Sequence, residues 1–156
     1  MDKKEFDQFL ENVVLQIFGL FDLEREHFEI REEEDAQIKI DVLKDDCGFL
    51  IGYHGKTLDS LETIIGLTLY YQTEEWKRVI IEVGDYREKK EAFLKQVAEK
   101  NVERSRFLQE SVALSPMSNK ERRFIHLLFE DSEEFYTESK GEGRLRHIVL
   151  CPKAKQ

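Results

Sequence analysis

Two short stretches of the sequence carry residue types that can hold a phosphate group. In the first, Gly52 and Gly55 are three residues apart, and Lys56 follows directly. Glycines let the backbone turn sharply and approach a ligand closely, and the amides at the start of a helix favour an anion. The lysine adds positive charge beside that position. The stretch is therefore a candidate phosphate-binding loop, although paired glycines also occur in ordinary turns between helices.

The second stretch pairs an arginine with a histidine four residues later. On a helix, Arg122 and His126 would share one face, about one turn apart. Arginine offers a phosphate a charged fork of donors, and histidine offers a further donor. Polar pairs at this spacing are common on helix surfaces, so the spacing alone fits two ordinary surface or half-buried residues equally well.

The elements predicted around the glycine pair place it between two helices. Apolar residues recur at helical spacing near the N-terminus, and isoleucines alternate with polar residues from 37 to 42, as in one arm of a half-buried hairpin. In order, the predicted elements are a helix over 3–19, strands over 27–31 and 37–42 joined by an acidic turn at 32–35, helices over 45–51 and 56–71, and a strand over 77–84.

The elements predicted around the arginine–histidine pair begin with a long charged helix that links two modules. Ser118 and Glu121 have the spacing of a capping box, in which each side chain accepts from the other residue's amide, so a helix is expected to begin there. The predicted elements are helices over 86–108 and from 118 onward, strands over 134–139 and 144–151, and a glycine-containing turn at 140–143.

The apolar periodicity also predicts which faces of the two long helices are buried. The residues expected to face the core are Leu58, Leu61, Ile64, Ile65, Leu67 and Leu69 in the first helix, and Phe93, Leu94, Val97, Ala98 and Val102 in the second. Cys47 and Cys151 are expected to be small buried residues, and Trp76 is expected to be a core or edge aromatic.

The sequence around the glycine pair resembles a KH domain of the bacterial, type II arrangement. Its glycine loop follows a predicted hairpin and precedes a helix and a third strand, and in that family the loop clamps the backbone of a few unpaired nucleotides. The resemblance implies nucleic-acid contacts from Gly52, Tyr53, His54, Gly55 and Lys56. The chain departs from the family at Tyr53 and His54, where lysine or arginine is often found.

In a KH domain, the bases would lie over an apolar groove beside this loop. We expect that groove to be built from Leu50, Ile51 and Leu58 and from a strand edge near Ile38 and Ile40. The same residues would be core residues if no such groove exists.

The sequence around the second stretch resembles an R-3-H domain, which is named for an arginine and a histidine separated by three residues. That family is associated with single-stranded nucleic acids, and the resemblance extends over 113–119 and 136–150. Under it, Arg122 and His126 are the signature residues. Charge adds three neighbouring candidates, which are Arg123, Arg144 and Arg146.

Both resemblances, in this order, are similar to the bacterial Jag family, also called KhpB or the SpoIIIJ-associated proteins, from about residue 3 to 153. We expect an α+β fold with a KH module at 1–86 and an R-3-H module at 87–156 that includes the connecting helix. The resemblance implies a post-transcriptional regulator that binds single-stranded RNA, or DNA. It also implies partnership with a second small KH protein and, in some members, a peripheral link to a membrane insertase. Many members have a further N-terminal domain, whose properties are not carried over.

The net charge of −9 favours an alternative, a protein-interaction scaffold with weak or no nucleic-acid binding. An acidic protein repels a polyanion at long range. The charge is uneven, however: residues 1–44 carry 6 basic and 13 acidic side chains, whereas residues 101–156 carry 10 and 9. Both interpretations stay open, and salt separates them, because phosphate binding weakens steeply with ionic strength.

No group of residues in the sequence matches a catalytic or metal-binding pattern. The four histidines form no HExxH motif, and the chain has no GxGxxG, no Walker lysine and no GxSxG serine. We therefore expect no enzymatic activity, no cofactor and no metal. The two cysteines lack metal-ligand spacing and favour a reduced, cytoplasmic protein, and no apolar stretch is long enough to span a bilayer.

Overall fold

The computed structural model describes residues 1–154 and divides the chain into two compact units, residues 1–87 and 88–156. The helices are α1 (Lys3–Gly19), α2 (Gly48–Ile51), α3 (Lys56–Thr73), α4 (Tyr86–Leu108) and α5 (Asn119–Leu128). The strands are β1 (Phe28–Glu33), β2 (Gln37–Val42), β3 (Arg78–Val83), β4 (Val112–Ala113), β5 (Phe135–Lys140) and β6 (His147–Pro152). Helices pack with small sheets in both units, so the α+β prediction is confirmed.

Helix α1 has the predicted bounds, and its first turn explains where it begins. Asp2 and Glu5 form a capping box, in which Asp2 Oδ1 accepts from the Glu5 amide at 2.8 Å and Glu5 Oε2 accepts from the Asp2 amide at 2.9 Å. Its apolar residues repeat every three or four positions and therefore form one buried face. The buried residues of α1 are Phe6, Leu10, Val13, Val14 and Phe18.

The sheet of the first unit has the order β1-β2-β3, with β2 antiparallel to β1 and parallel to β3. The predicted hairpin is thus confirmed. Its turn is shorter than predicted, because Glu32 and Glu33 pair within β1 and only Glu34–Ala36 form the turn. The side chains of β2 alternate between buried and half-buried positions, as expected where one sheet face meets the core.

The central position of β2 overturns the predicted base groove. Ile38 and Ile40 lie on this middle strand rather than at a sheet edge, and both are fully buried. Leu50 and Leu58 are core residues as well, and only Ile51 is half-buried. The four buried side chains fill the core of the first unit and offer no open surface to a base.

Three further expectations for helical residues are wrong. The helix predicted from residue 45 begins at Gly48, because Asp46 has a φ of +57° and cannot continue a right-handed helix. In α3, Ile64 and Leu67 are about half exposed, at 50% and 51%. In α4, Phe93 is 60% exposed. At about 100° per residue, each of these three side chains falls outside the stripe that its helix buries.

The second unit has a sheet of order β4-β6-β5, with both pairings antiparallel. Strand β4 was not predicted, because two residues are too short to show an alternating pattern. The predicted start of the last strand at Arg144 is also wrong: Gly143–Leu145 form a 3-10 turn, and β6 begins at His147. Within residues 1–154, no helix combines the length and the apolar character needed to cross a bilayer.

Candidate nucleic-acid interface

The glycine loop joins α2 to α3 through backbone conformations that L side chains rarely adopt. Gly52 has φ +68° and ψ −168°, a region that is essentially restricted to glycine. Gly55 has φ +81° and is the N-cap residue of α3. His54, between them, is also left-handed at φ +54°, which histidine tolerates better than most residues. The loop therefore depends on glycine at both of its ends.

Steric contacts add a second reason for both glycines. A methyl group on Gly52 would overlap the hydroxyl oxygen of Thr57 and would lie 2.6 Å from the Thr57 Cβ. A methyl group on Gly55 would lie 2.8 Å from the hydroxyl oxygen of Tyr86. Gly55 is buried, whereas Gly52 is exposed. The two ends of the loop are thus held against different neighbours.

The side chains of the loop surround the start of α3 with exposed polar and aromatic groups. Tyr53 is 74% exposed, and its ring meets the His54 ring edge-on at a centroid distance of 4.2 Å. The Lys56 Nζ lies 5.5 Å from the centroid of the Tyr53 ring, within the range of a cation–π contact. Gly55 has no side chain with which to cap α3, so the positive end of the helix dipole is left to other acceptors.

The Arg122 and His126 side chains of α5 are both engaged within the second unit. Arg122 is 9% exposed; its Nη1 donates to the Met117 carbonyl at 2.7 Å, and its Nη2 donates to the Asn119 side chain. His126 is half-buried, and its Nδ1 lies 2.6 Å from Thr137 Oγ1. One signature residue thus secures the loop before α5, and the other secures strand β5.

The capping box predicted at the start of α5 is confirmed. Ser118 Oγ accepts from the Glu121 amide at 3.3 Å, and Glu121 Oε2 accepts from the Ser118 amide at 2.6 Å. Lys90 Nζ lies 2.8 Å from Glu121 Oε1. Burial raises the pKa of the Glu121 carboxyl, but its hydrogen bonds with Lys90 and Ser118 outweigh burial and leave that pKa below its usual value.

Arg146, one of the three further arginines predicted on charge, shares neighbours with the signature pair. Arg146 Nε donates to Ser139 Oγ at 2.9 Å, and the Arg146 carbonyl accepts from the Met117 amide at 3.2 Å. Ser139 and Thr137 are two residues apart on β5, so their side chains share one face. Arg122, His126 and Arg146 are therefore linked through a few shared neighbours.

Arg123 and Arg144 are exposed, and no hydrogen bond or ion pair within residues 1–154 ties either guanidinium. They remain open to a ligand. The same part of the chain contains no cluster of three or more His, Cys, Asp or Glu side chains able to hold a metal ion.

Sequence reasoning missed the residues that position these groups. Thr57 and Tyr86 flank the glycine loop, while Asn119, Thr137 and Ser139 accept from or pair with the signature residues and Arg146. Asn119 carried a local signal, since it directly follows the N-cap serine. Thr57 lies in the first turn of α3, directly after the loop, but its residue type did not show that it packs beside Gly52. Tyr86, Thr137 and Ser139 act from other elements, and no spacing rule could have found them.

Two family models match the chain in the order of the two units. The model described as KhpA/KhpB, KH domain matches residues 8–83. The model of the R-3-H domain matches residues 92–152. The glycine loop lies within the first match, and the arginine–histidine pair lies within the second.

Curated relatives are similar to much of this chain. The RNA-binding protein KhpB of Clostridium symbiosum is 32% identical over 146 residues, which cover 94% of this chain and 64% of the relative. The RNA-binding protein KhpB of Bacillus subtilis is 32% identical over 124 residues, covering 78% and 60%. That of Lactiplantibacillus plantarum is 30% identical over 116 residues, covering 74% and 35%. The chain spans less than two thirds of the length of each of these relatives.

Proposed function

The chain belongs to the bacterial KhpB (Jag) family, and from that premise we propose that it binds single-stranded RNA without catalysing a reaction. The observation that carries the proposal is the conformation of the Gly52–Gly55 loop. Its two glycines leave the start of α3 free of any N-cap side chain, and Lys56 stands beside it. A loop of this kind can bring its amides within hydrogen-bonding distance of a phosphate.

In the first unit, we assign the phosphate contacts to the loop backbone and to Lys56. Tyr53 and His54 occupy positions where the family often has basic residues, so they contribute less charge. The exposed Tyr53 ring offers a flat face on which a base can stack. The affinity of this unit therefore depends more on backbone geometry and stacking than on ion pairing.

In the second unit, we assign phosphate contacts to the exposed guanidiniums of Arg123, Arg144 and Arg146, with His126 beside them. Arg122 is buried and already donates to Met117 and Asn119. Its contribution to this site is therefore to hold the loop before α5 in place. Arginine suits the exposed positions because its planar fork matches phosphate oxygens.

The proposal includes the wider setting of the protein. We take the KH module as residues 1–86 and the R-3-H module as residues 87–156, each with its own site. On the ground of the family resemblance we propose a role in post-transcriptional regulation and partnership with a second small KH protein. A peripheral link to a membrane insertase, which the resemblance implies for some members, is a further part of the proposal. We also propose a cytoplasmic location. The two free, buried cysteines fit a reducing compartment.

One observation favours a second candidate function, that of a protein-interaction scaffold. The net charge of −9 opposes a polyanion at long range. A scaffold would use apolar surface instead of the two charged sites, so its binding would be nearly independent of salt. The two functions therefore make opposite predictions for the same titration.

The test is fluorescence anisotropy of labelled single-stranded RNAs, and of matching DNAs, with the full chain at about 50 and 200 mM salt. We expect affinity to fall steeply with salt. Tyr53→Asp/His54→Asp should weaken binding by adding negative charge at the first site, and the matched variant Tyr53→Asn/His54→Asn separates charge from loss of the side chains. Asparagine and aspartate both tolerate the left-handed backbone at residue 54.

The second site is tested in the same assay with Arg123→Ala/Arg144→Ala/Arg146→Ala. We expect weaker binding and a shallower salt dependence, because fewer phosphate contacts release fewer counterions. Wild-type protein that fails to bind RNA of varied sequence at low salt would reject the RNA proposal in favour of the scaffold.

A further inference from the structure

Tyr86 lies against the glycine loop although it is about thirty positions away in the sequence. It is the first residue of α4, and it comes shortly after the end of β3. The side chain is half-buried and packs against the core of the first unit. Among heavy atoms outside its immediate sequence neighbours, the Tyr86 hydroxyl oxygen lies nearest to the position where a Gly55 side chain would begin.

Tyr86 leaves little room for any side chain at residue 55. A methyl group on Gly55 would lie 2.8 Å from Tyr86 Oη and 3.6 Å from two carbons of its ring. Gly55 itself is buried and left-handed, and α3 begins directly after it. The tyrosine therefore lies beside the N-cap residue of α3, where the loop passes into the helix.

The position of Tyr86 is itself fixed by its neighbour in sequence. Arg87 forms an ion pair with the buried Glu62 carboxylate of α3, and its Nη2 donates to the Ile81 carbonyl of β3 at 3.3 Å. Glu62 Oε1 also accepts from the Ile81 amide at 3.0 Å. The junction between β3 and α4 is thus attached to β3 and to α3, the helix that begins at the loop.

We propose that Tyr86 is a positioning residue for the Gly52–Gly55 loop: it holds Gly55 in the left-handed conformation that aims the first amides of α3 at a phosphate. Tyr86 acts through the loop backbone and does not touch the RNA. The inference deepens the proposed function and rests on it for its effect on RNA, while the contact itself is a property of the protein alone.

The test is a double-mutant cycle in the full chain with Gly55→Ala, Tyr86→Phe and the two combined. Gly55→Ala suffers both backbone strain and the overlap with Tyr86 Oη, whereas removing the hydroxyl leaves only ordinary contacts at 3.6 Å. We expect Gly55→Ala to weaken RNA binding at least about tenfold, and Tyr86→Phe to restore roughly fivefold of that loss, within the coupling range of residues in direct contact.

A matched control comes from the other end of the loop. Gly52→Ala overlaps Thr57 and not Tyr86, so Tyr86→Phe should not rescue it. A residue that merely stabilises the fold would change both glycine variants alike. The proposal would be overturned if Gly55→Ala weakened RNA binding equally with and without Tyr86→Phe. It would also be overturned if Tyr86→Phe restored binding to Gly52→Ala as much as to Gly55→Ala.

A second measurement keeps the two proposals separate. The same cycle is followed by the free energy of unfolding and by hydrogen exchange of the amides of residues 54–57, without RNA. If wild-type protein binds no RNA but the cycle still shows coupling, the proposed function fails and the positioning role stands. Should the alanine variants not fold, hydrogen exchange is followed in the single variant Tyr86→Leu. We expect the loop amides to exchange about tenfold faster, because loss of the contact makes local opening easier. Unchanged exchange would refute the role.

Discussion

The glycine loop and the arginine–histidine helix are both candidate phosphate sites, but they are specified in opposite ways. The glycine loop is specified by its backbone conformation, and the arginine–histidine helix by its side-chain contacts. At the loop, backbone conformation is tightly specified, while Tyr53, His54 and Lys56 stand exposed. On α5, the backbone is ordinary helix, and the signature side chains are committed to internal contacts. A motif can therefore define a site either by the shape that it gives the chain or by the neighbours that it holds in place.

The largest effect should come from Gly52→Ala, because it attacks the backbone directly. The variant places a side chain in a region essentially restricted to glycine and drives a methyl group into Thr57. We expect the free energy of unfolding to fall by about 3 kcal/mol, from strain and overpacking together, as measured by urea denaturation. Gly19→Ala is the matched control, since nothing lies within 4 Å of a methyl group there. A loss of similar size in the control would mean that the loop is not special.

Arg122→Ala should lower stability nearly as much. Compared with Arg123→Ala, it also distinguishes the roles of the two arginines that are adjacent in sequence. Removing the buried guanidinium leaves the Met117 carbonyl and the Asn119 side chain without their donor. We expect a loss of about 2 kcal/mol in unfolding free energy. Arg123→Ala should change stability by less than about 0.5 kcal/mol and instead lower RNA affinity. The reverse order would contradict the assignment of Arg122 to positioning and Arg123 to the ligand.

His54→Val tests whether the left-handed backbone at residue 54 restricts which side chain can occupy that position. A β-branched residue at φ +54° should cost about 1–2 kcal/mol in thermal or chemical unfolding. His54→Asn should be nearly neutral, because asparagine accepts this conformation. Equal stability of the two variants would show that the loop backbone is less restricted than its geometry indicates.

Thr137→Val tests the contact made by the signature histidine. The change keeps the shape of the side chain but removes the hydroxyl that lies 2.6 Å from His126 Nδ1. We expect a loss of about 1 kcal/mol in unfolding free energy. In a His126→Ala background the same change should cost much less, since the partner is already gone. Additive losses would mean that the two side chains do not interact.

The smallest effect concerns acid stability at the start of α5. Hydrogen bonds leave the pKa of Glu121 lower in the folded protein than in the unfolded chain, so its contribution to stability is present above the unfolded pKa of 4.5. That contribution is lost as pH falls through the lower, folded pKa. Acid titrations of unfolding free energy should therefore be shallower for Glu121→Gln than for wild type. If the pH dependence of the unfolding free energy were the same in both proteins, Glu121 would not contribute to acid stability.

Local sequence signals predicted the elements, but they could not predict which surfaces those elements bury. The capping box at Ser118 and the alternation along β2 are complete within a few residues, and both were confirmed. The burial of Arg122 depends on which side of α5 meets the loop before it, and a four-residue spacing leaves that side undetermined. The apolar pattern of β2 likewise says nothing about strand order, which is why the predicted groove at Ile38 and Ile40 was wrong.

The residues of the candidate site likewise differ in whether local sequence reveals them. Gly52 and Gly55 were found because their chemistry is visible in their own residue type. Tyr86 was not, because its contact with Gly55 exists only after β3 and α3 have packed together. Residues that make a ligand-facing shape can be read from local sequence, whereas residues that support it from another element require the structure.

The most direct test of the central claim is a titration of the isotopically labelled full chain with single-stranded RNA, followed by the backbone amide signals. We expect the amides of residues 52–57 to be among the most strongly shifted, and higher salt to reverse the change. Shifts confined to other parts of the chain, with the loop amides unmoved at saturating RNA, would contradict it.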